Sequence, residues 1–266
     1  MHTTMSSKPR TRLTLALIPY LNCEPFYGGI GELGYDIVRE PPRELGRMAR
    51  EEDLTCGPMA VADLFRLESR YEPLGDFGIS CEGPAHSVLL FSRTEIGDLS
   101  GARIGLTAES STSVQLLRLV LECKYELTDI DFIRGKSEDD VARLLIGDEA
   151  LVAACDGGSE FPFVYDLGEE WHGWQALPFV FARWAVSRKV AEEDRRRVTD
   201  SLEESLAGWK LRIPEIAARC GAAFGLNAAG VLRYLETFRY RLGPVESLGE
   251  NQFREMLSGL PVGGPG

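Results

Sequence analysis

The chain has 266 residues, of which 44% are hydrophobic and 26% are charged, and its formal net charge is −12. That length suits one large domain or two modest domains, each with a core of its own. The acidic balance argues against nucleic acid as a partner, because no basic cluster is available to displace phosphate counterions. No apolar run approaches the roughly 20 residues that a membrane span requires, so we predict no membrane partner.

The first 11 residues are predicted to form a disordered leader. Basic residues precede the apolar run 13–21, an arrangement similar to a short export signal with Cys23 as a lipid anchor. However, Pro19 interrupts the run, and large residues stand before Cys23 where signal cleavage requires small ones. We therefore predict a cytoplasmic protein.

Strands and helices alternate along the first 180 residues, after which the chain is almost entirely helical. The hydrophobic pattern predicts strands over 13–18, 53–57, 87–92, 103–106, 130–133, 150–154 and 179–186. It predicts helices over 24–30, 42–52, 59–67, 113–121, 137–146, 191–212, 214–224, 227–238 and 247–257. Such alternation is typical of mainly parallel sheets with right-handed crossovers.

This order of elements fits an α/β protein with two lobes and two crossover strands. We predict a discontinuous first lobe over 12–92 plus 183–260 and a second lobe over 93–182. Two lobes joined by two extended crossings make a hinged clamp with a ligand cleft between them. Polar residues at strand ends and helix starts should face that cleft.

The first candidate site residues follow the first strand, which runs directly into Pro19-Tyr20-Leu21-Asn22. Proline cannot donate to a sheet ladder, so strand pairing should stop there. The hydroxyl of Tyr20 and the amide of Asn22 then lie at the carboxyl end of the strand, where open α/β sheets bind ligands. The alternative is an ordinary strand-to-helix turn with Asn22 as a helix N-cap.

Hydroxyl side chains make up the next two candidates. Ser87 follows a Gly-Pro turn at the entry to a buried strand, where it could donate to a ligand or be satisfied by the backbone. Ser110, Ser111, Thr112 and Ser113 precede a predicted helix, and unpaired backbone N–H groups at a helix start suit a carboxylate. Simple capping needs one or two hydroxyls, so four favour an anion site.

Two further segments are ambiguous. Gly147-Asp148-Glu149 places adjacent carboxylates in a turn, where they could divide acid and base roles or simply be solvated. The aromatic segment 161–171 could form the wall of a ring-binding site, with Tyr165 supplying a hydroxyl, or a satellite core under a long loop. The residues alone leave both questions open.

Metal and cofactor motifs are missing from the sequence. The six cysteines lie far apart without a Cys-x-x-Cys pair, and there are three histidines, so neither a zinc site nor a disulfide framework is expected. No Gly-x-Gly-x-x-Gly motif follows a predicted strand, and the chain contains neither a Gly-x-x-x-x-Gly-Lys phosphate loop nor a Gly-x-Ser-x-Gly elbow. We predict no metal and no cofactor.

Six segments, in the order in which they occur, carry a resemblance to a known family. They are Tyr20-Leu21-Asn22 and residues 83–92, 112–117, 145–151, 165–171 and 177–182. Together they resemble the chorismate dehydratases from about residue 13 to 186, with a weaker helical tail to about 258. The sequence departs from that family at Pro19, where serine is common, and at the loosely matching segment 53–58.

The resemblance implies a fold like the type II periplasmic binding proteins, with the substrate held between two lobes. It implies a hydro-lyase that converts chorismate to 3-(1-carboxyvinyloxy)benzoate and water, opening the futalosine route to menaquinone. No metal or organic cofactor is implied, the partner is this small dicarboxylate, and we expect a monomer or homodimer. The alternatives are the sibling 1,4-dihydroxy-6-naphthoate synthase, which shares the fold, and a non-catalytic solute-binding protein for a small organic anion.

The implied reaction requires two carboxylates to be bound, the ring to be held and the ring hydroxyl to be helped away. As a hypothesis, Asn22 acts at the leaving hydroxyl or the reacting carbons, Ser87 supports one carboxylate, and the hydroxyls of residues 111–113 hold the other. The base is then the substrate's own enolpyruvyl carboxylate, and such proximity can be worth several kcal/mol. The predicted substrate-binding set is completed by Tyr20, Ser110, Gly147, Asp148 and Tyr165.

Overall fold

The computed structural model describes residues 13–155 and 160–260. The whole of the predicted leader, residues 1–11, and residue 12 of the predicted first lobe therefore lie outside the described residues. Two β-sheets, of six and five strands, organise the described chain. Within the two described stretches, no helix is both long and apolar enough to cross a membrane.

The six-stranded sheet contains the beginning of the described chain and two strands from its later part. Its strands are β1 (Thr14–Leu17), β2 (Asp36–Arg39), β3 (Cys56–Ala60), β4 (Tyr71–Cys81), β10 (Phe179–Ser187) and β11 (Phe238–Arg241). Their order is β11-β4-β10-β3-β1-β2. The strand β1 pairs in parallel with β2 and β3, whereas β10 is antiparallel to β3 and β4, and β11 is antiparallel to β4.

The five-stranded sheet is built from the middle of the chain. Its strands are β5 (Val88–Ser92), β6 (Arg103–Leu106), β7 (Asp131–Arg134), β8 (Ala142–Ile146) and β9 (Phe163–Asp166). Their order is β7-β6-β8-β5-β9, with β6 parallel to β7 and β8, and β5 antiparallel to β8 and β9. Both sheets are therefore mixed, and the prediction of mainly parallel sheets is wrong.

Helices cover the sheets and supply several of the residues at their edges. The α-helices are α1 (Pro42–Arg50), α2 (Val61–Leu67), α3 (Thr112–Arg118), α4 (Gly147–Cys155), α5 (Leu167–Gln175), α6 (Glu192–Gly208), α7 (Ile213–Cys220), α8 (Ala228–Glu236) and α9 (Pro244–Gly259). A π-helical turn, Leu119–Lys124, extends α3. The 3-10 turns are Leu21–Tyr27, Ile30–Leu33, Ile96–Asp98, Trp209–Arg212 and Gly221–Phe224.

Two predicted elements have the wrong type. The helix predicted over 137–146 is largely the strand β8, and the strand predicted over 150–154 is part of α4. Residues 142–146 form a short, almost wholly buried run that is apolar except for Arg143. Periodicity alone does not separate a strand from a buried helix in so short a run. The helix predicted over 24–30 is instead 3-10 in character.

Four strands and one helix were not predicted from the sequence: β2, β4, β9, β11 and α5. In β4, Pro73, Gly75 and Gly78 interrupt the strand pattern. The pairing of β4 with β10 shows register shifts, as expected of a strand that contains bulges. The pattern of residues therefore gives no sign of this 11-residue strand, which lies next to the edge strand β11.

The chain passes from one sheet to the other at earlier positions than the sequence pattern predicts. The strand β5 already belongs to the five-stranded sheet, and β10 returns to the six-stranded sheet from Phe179 onward. The chain thus changes sheets between Cys81 and Val88 and again between Asp166 and Phe179, rather than at 92/93 and 182/183. The assignment of 12–92 with 183–260 and of 93–182 to two lobes otherwise stays a prediction.

An aromatic cluster packs α5 and α9 onto β10. The ring of Phe179 lies 5.3 Å from that of Trp171 and 4.9 Å from that of Phe253, both edge to face. Such pairs contribute about 0.5–1.5 kcal/mol beyond the area they bury. Next to this cluster, α9 approaches the chain so closely that a Cβ at Gly249 would lie 2.1 Å from the carbonyl oxygen of Pro178.

We predict that Gly249→Ala lowers the free energy of unfolding by about 1–3 kcal/mol, because the added methyl group forces α9 away from Pro178. The matched control is Gly173→Ala in α5, where a Cβ meets no heavy atom within 4 Å. That substitution should leave stability unchanged or raise it by up to about 1 kcal/mol through helix propensity. Urea unfolding of both variants measures the difference, and equal effects would contradict the packing argument.

Candidate active site

A cavity lies between the two sheets and is lined by residues of both. Its apolar wall is formed by Ile18, Pro42, Ala60, Ile79, Val88, Ile146, Phe181, Ala182 and Phe238. Its other lining residues are Tyr20, Asn22, Cys23, Ser87, Ser110, Thr112, Ser113 and Gly147.

The structure brings most of the predicted site residues to this one cavity. Those that line it are Tyr20, Asn22, Ser87, Ser110, Thr112, Ser113 and Gly147. They come from the end of β1, the entry to β5, the start of α3 and the start of α4. Ser111, Asp148 and Tyr165 are not among the lining residues.

Two of the hydroxyls at the start of α3 are engaged with α2 instead of lying unpartnered. Ser111 donates to the buried carboxylate of Asp63 at 2.6 Å, and Thr112 Oγ1 accepts from the backbone N–H of Ala62 at 3.1 Å. Ser110 Oγ accepts from the N–H of Ser113 at 3.0 Å and so caps the helix. The number of hydroxyls therefore does not by itself indicate an anion site, because two of the four have partners in α2.

This arrangement still leaves donors for a ligand. Ser110 and Thr112 each accept a backbone N–H through the hydroxyl oxygen, so the hydroxyl hydrogen can be donated into the cavity that both residues line. Both are buried, at 4% and 1% exposure, where a hydrogen bond to a carboxylate is stronger than in water.

Asn22 and Ser87 face the cavity from different elements. The side-chain oxygen of Asn22 accepts from Cys23 Sγ at 3.3 Å, which leaves the amide N–H groups as its donors. Ser87 is fully buried, and its Oγ accepts from the hydroxyl of Tyr234 at 2.7 Å. The sequence contained no signal for Tyr234, since it lies in α8 beside Val231 and Leu235 as an ordinary core residue would.

Asp148 holds the turn that carries Asn22. Its Oδ1 accepts from the backbone N–H of Leu21 at 3.0 Å. Burial raises the pKa of Asp148 to about 6, and the charges of Glu109 and Glu24 add to the rise while the Leu21 N–H opposes it. The carboxylate is therefore a support for the 3-10 turn rather than part of the cavity wall.

Gly147 allows the ring of Tyr20 to lie against the backbone. Its φ is +57°, and a Cβ there would lie 2.9 Å from Tyr20 Cδ2. The hydroxyl of Tyr20 donates to the side-chain carboxylate of Glu109. The backbone carbonyl oxygen of Glu109 accepts from the backbone N–H of Arg43. Burial raises the pKa of Tyr20, so the phenol stays protonated and keeps this contact. Glu109 was not predicted as a site residue.

The aromatic segment 161–171 belongs to the core rather than to the cavity. The hydroxyl of Tyr165 accepts from the N–H of Ile96 at 2.9 Å, while Phe161 and Trp171 are buried in hydrophobic clusters. Asp166 caps α5 and also accepts from the N–H of Ala85 at 2.9 Å. Of the two alternatives, the structure favours the satellite core, and it gives Tyr165 no place in the site.

The polar groups that line the cavity are uncharged. Among the lining residues, all of them in the described part of the chain, none is lysine, arginine or histidine. Over residues 13–155 and 160–260, no three His, Cys, Asp or Glu side chains are grouped so that they could hold a metal ion. An anion bound here would be held by neutral O–H and N–H donors between apolar walls.

Two mixed β-sheets covered by helices, with a cavity between them, define a protein with the fold of the periplasmic binding proteins. The chain belongs to the menaquinone biosynthesis family, whose model matches residues 13–258. A chorismate dehydratase of Thermus thermophilus is 31% identical over 268 aligned residues, which cover 93% of this chain and 95% of that protein. The predicted family is confirmed.

Solved structures show the same fold at low sequence identity. A protein from Archaeoglobus fulgidus is 17% identical with a TM-score of 0.77, over 94% of this chain and 98% of that chain. The alkanesulfonate-binding protein SsuA from Xanthomonas axonopodis pv. citri, solved with MOPS, is 13% identical with a TM-score of 0.66, over 94% and 92%. The predicted fold class is confirmed.

We predict that replacing Asp148 by asparagine changes how stability depends on pH. Because burial raises the pKa of Asp148 from 3.8 to about 6, the folded protein holds this proton more tightly than the unfolded chain does. The contribution of Asp148 to the free energy of unfolding is therefore fully present below about pH 4 and is lost as the pH rises to about 6. The asparagine side chain of the variant does not titrate, and its oxygen can still accept from the N–H of Leu21.

Thermal unfolding of both proteins from pH 3.5 to 8 measures this effect. The melting temperature of Asp148→Asn minus that of the wild type should rise between about pH 4 and 6 and stay level on either side. A difference that is independent of pH would contradict the assignment.

Proposed function

We propose that this chain is a chorismate dehydratase, which converts chorismate to 3-(1-carboxyvinyloxy)benzoate and water in the futalosine route to menaquinone. The observation that best supports this proposal is that Asn22, Ser87 and hydroxyls at the start of α3 line one cavity with apolar walls. Membership of the menaquinone biosynthesis family and the Thermus thermophilus relative support the choice of reaction.

The reaction is a 1,2-elimination that balances without an oxidant or reductant. The ring carbon that bears the enol ether loses its proton, the electrons of that C–H bond form a new ring double bond, and hydroxide leaves from the adjacent carbon. Proton and hydroxide together make the released water, and the ring becomes aromatic. Because aromatisation favours the elimination, the protein does not need a strongly basic side chain.

The substrate's enolpyruvyl carboxylate serves as the base in this proposal. It is tethered to the carbon that loses the proton, and a well-oriented intramolecular group can have an effective concentration of about 10⁵ M or more. The same carboxylate can pass the proton to the departing hydroxide. The contribution of the protein is then to hold the substrate in the conformation that places this carboxylate over the ring proton.

Neutral hydrogen-bond donors bind the two carboxylates and the leaving hydroxyl of the substrate in this proposal. Ser110 and Thr112 hold the ring carboxylate through their hydroxyl hydrogens, and Ser113, which also lines the cavity, is the third hydroxyl within reach of it. Asn22 donates its amide N–H to the leaving hydroxyl. Ser87 donates to the second carboxylate, so both substrate anions are held without a charged side chain in the wall.

The apolar wall and the supporting residues complete the site. Phe181 and Phe238 hold the ring and keep water from the reacting carbons. Asp148 supports Asn22 through the Leu21 N–H, and Gly147 makes room for Tyr20. In this proposal Ser111 has no contact with the substrate, because its hydroxyl is bound to Asp63.

We expect the protein to act in the cytoplasm, as a monomer or homodimer, on chorismate as its small-molecule partner. Neither nucleic acid nor a membrane has a role in the reaction.

Incubation of the purified protein with chorismate tests the proposal. The expected result is loss of chorismate with appearance of the aromatic ether, followed by absorbance and mass spectrometry. Binding without turnover would indicate a solute-binding protein, and no reaction with chorismate would favour the sibling naphthoate synthase activity.

We predict that Asn22→Asp lowers kcat about 100-fold, as does removal of a donor to a developing negative charge in other enzymes. The variant keeps the shape of the side chain but replaces N–H donors by oxygen acceptors. Asn251→Ala, at an exposed position of α9, is the control and should retain wild-type kcat. Wild-type turnover by Asn22→Asp would exclude the proposed role.

We also predict that the hydroxyls of residues 110 and 111 differ in their effect on KM. Ser110→Ala should raise KM for chorismate about 10-fold or more, since a hydrogen bond to a charged group contributes about 1.5–3 kcal/mol. Ser111→Ala removes a bond to Asp63 and should leave KM within about twofold. Steady-state kinetics of both variants decide this, and a larger KM effect at residue 111 would reverse the assignment.

A further inference from the structure

Ser87 receives its hydrogen bond from a residue that lies outside the cavity lining. Tyr234 donates to Ser87 Oγ at 2.7 Å, and Ser87 Oγ lies 3.4 Å from the carbonyl oxygen of Ala85. The first distance is that of a strong O–H···O bond, while the second exceeds the usual 2.5–3.0 Å. The hydroxyl hydrogen of Ser87 is therefore weakly held by the backbone and can turn to a ligand.

The position of Tyr234 is itself fixed by packing. It lies in α8, which Asn227 caps through the N–H of Gly230, and it is 6% exposed. Its ring meets that of Phe238 edge to face, with centroids 5.3 Å apart. Because Phe238 lines the cavity, one aromatic pair connects the apolar wall to the residue that donates to Ser87.

Donation from Tyr234 also determines what Ser87 can do. Burial raises the pKa of Tyr234, so the phenol remains protonated and acts as a donor to Ser87. With one lone pair of Oγ occupied, the serine hydroxyl is polarised and becomes a better donor to a third group. An anionic oxygen of a ligand in the cavity can be that third group.

We propose that Tyr234 is a positioning residue that orients the hydroxyl of Ser87 as a donor toward the substrate oxygen that carries negative charge. The inference rests on the proposed function, because it assigns Tyr234 to the same elimination of water. Tyr234 does not touch the substrate, and its effect passes entirely through Ser87.

A double-mutant cycle of Tyr234→Phe and Ser87→Ala tests this role. Tyr234→Phe should lower kcat about 3- to 10-fold, the ratio that corresponds to one neutral hydrogen bond, with a smaller change in KM. In the Ser87→Ala background the same substitution should change kcat less than about twofold. A structural loss of packing would lower activity equally in both backgrounds.

The matched control is Tyr240→Phe. Tyr240 is buried to a similar degree, at 7% exposure, and its hydroxyl donates to the carbonyl oxygen of Leu235 rather than to a cavity residue. Its substitution should leave kcat unchanged in both backgrounds. If Tyr234→Phe does not fold, 3-fluorotyrosine at position 234 keeps the ring and hydroxyl, and it should change kcat when Ser87 is present and not in Ser87→Ala.

The outcomes separate the two proposals. An active wild type with unchanged kcat in Tyr234→Phe, or with equal losses in both backgrounds, overturns the positioning role and leaves the dehydratase proposal intact. A wild type that does not dehydrate chorismate overturns both.

Discussion

The cavity depends on hydrogen bonds between elements that adjoin different sheets. Asp148 at the start of α4 accepts from Leu21 after β1, and Ser111 at the start of α3 donates to Asp63 in α2. Each bond engages a backbone group or a buried side chain, where an unmade hydrogen bond costs about 1–3 kcal/mol. These contacts connect segments that adjoin the two sheets beside the cavity.

Neutral donors in an apolar cavity are suited to a dianionic substrate that supplies the base for its own elimination. The lining hydroxyls and the amide of Asn22 offer hydrogen bonds that are strong in a low-dielectric space. A buried lysine or arginine would have brought a desolvation cost, and a strong base is not required when elimination makes the ring aromatic. In the proposed reaction, the fold contributes orientation and exclusion of water rather than acid–base groups of perturbed pKa.

The sequence allowed the fold class and family to be predicted, because six short segments resemble one family in the same order. Seven of the ten candidate site residues line the cavity, since residues at strand ends and helix starts meet at one edge of a sheet. The failures have two different causes. The sequence pattern predicts a helix at β8 because a short buried run has no distinguishing period. It predicts Ser111 as a site residue because its partner Asp63 lies 48 residues away in the sequence and leaves no local signal.

The sequence by itself determined the class of fold, the family and the position of most cavity residues along the chain, since local pattern and motif order carry that information. Only the tertiary structure decided which hydroxyls are available, which carboxylate supports the Asn22 turn and that Tyr234 donates to Ser87. Tyr234 and Ser87 are 147 residues apart, and a hydrogen bond over that separation leaves no local signature. The role of a polar side chain depends on its partner, and packing of distant segments selects that partner.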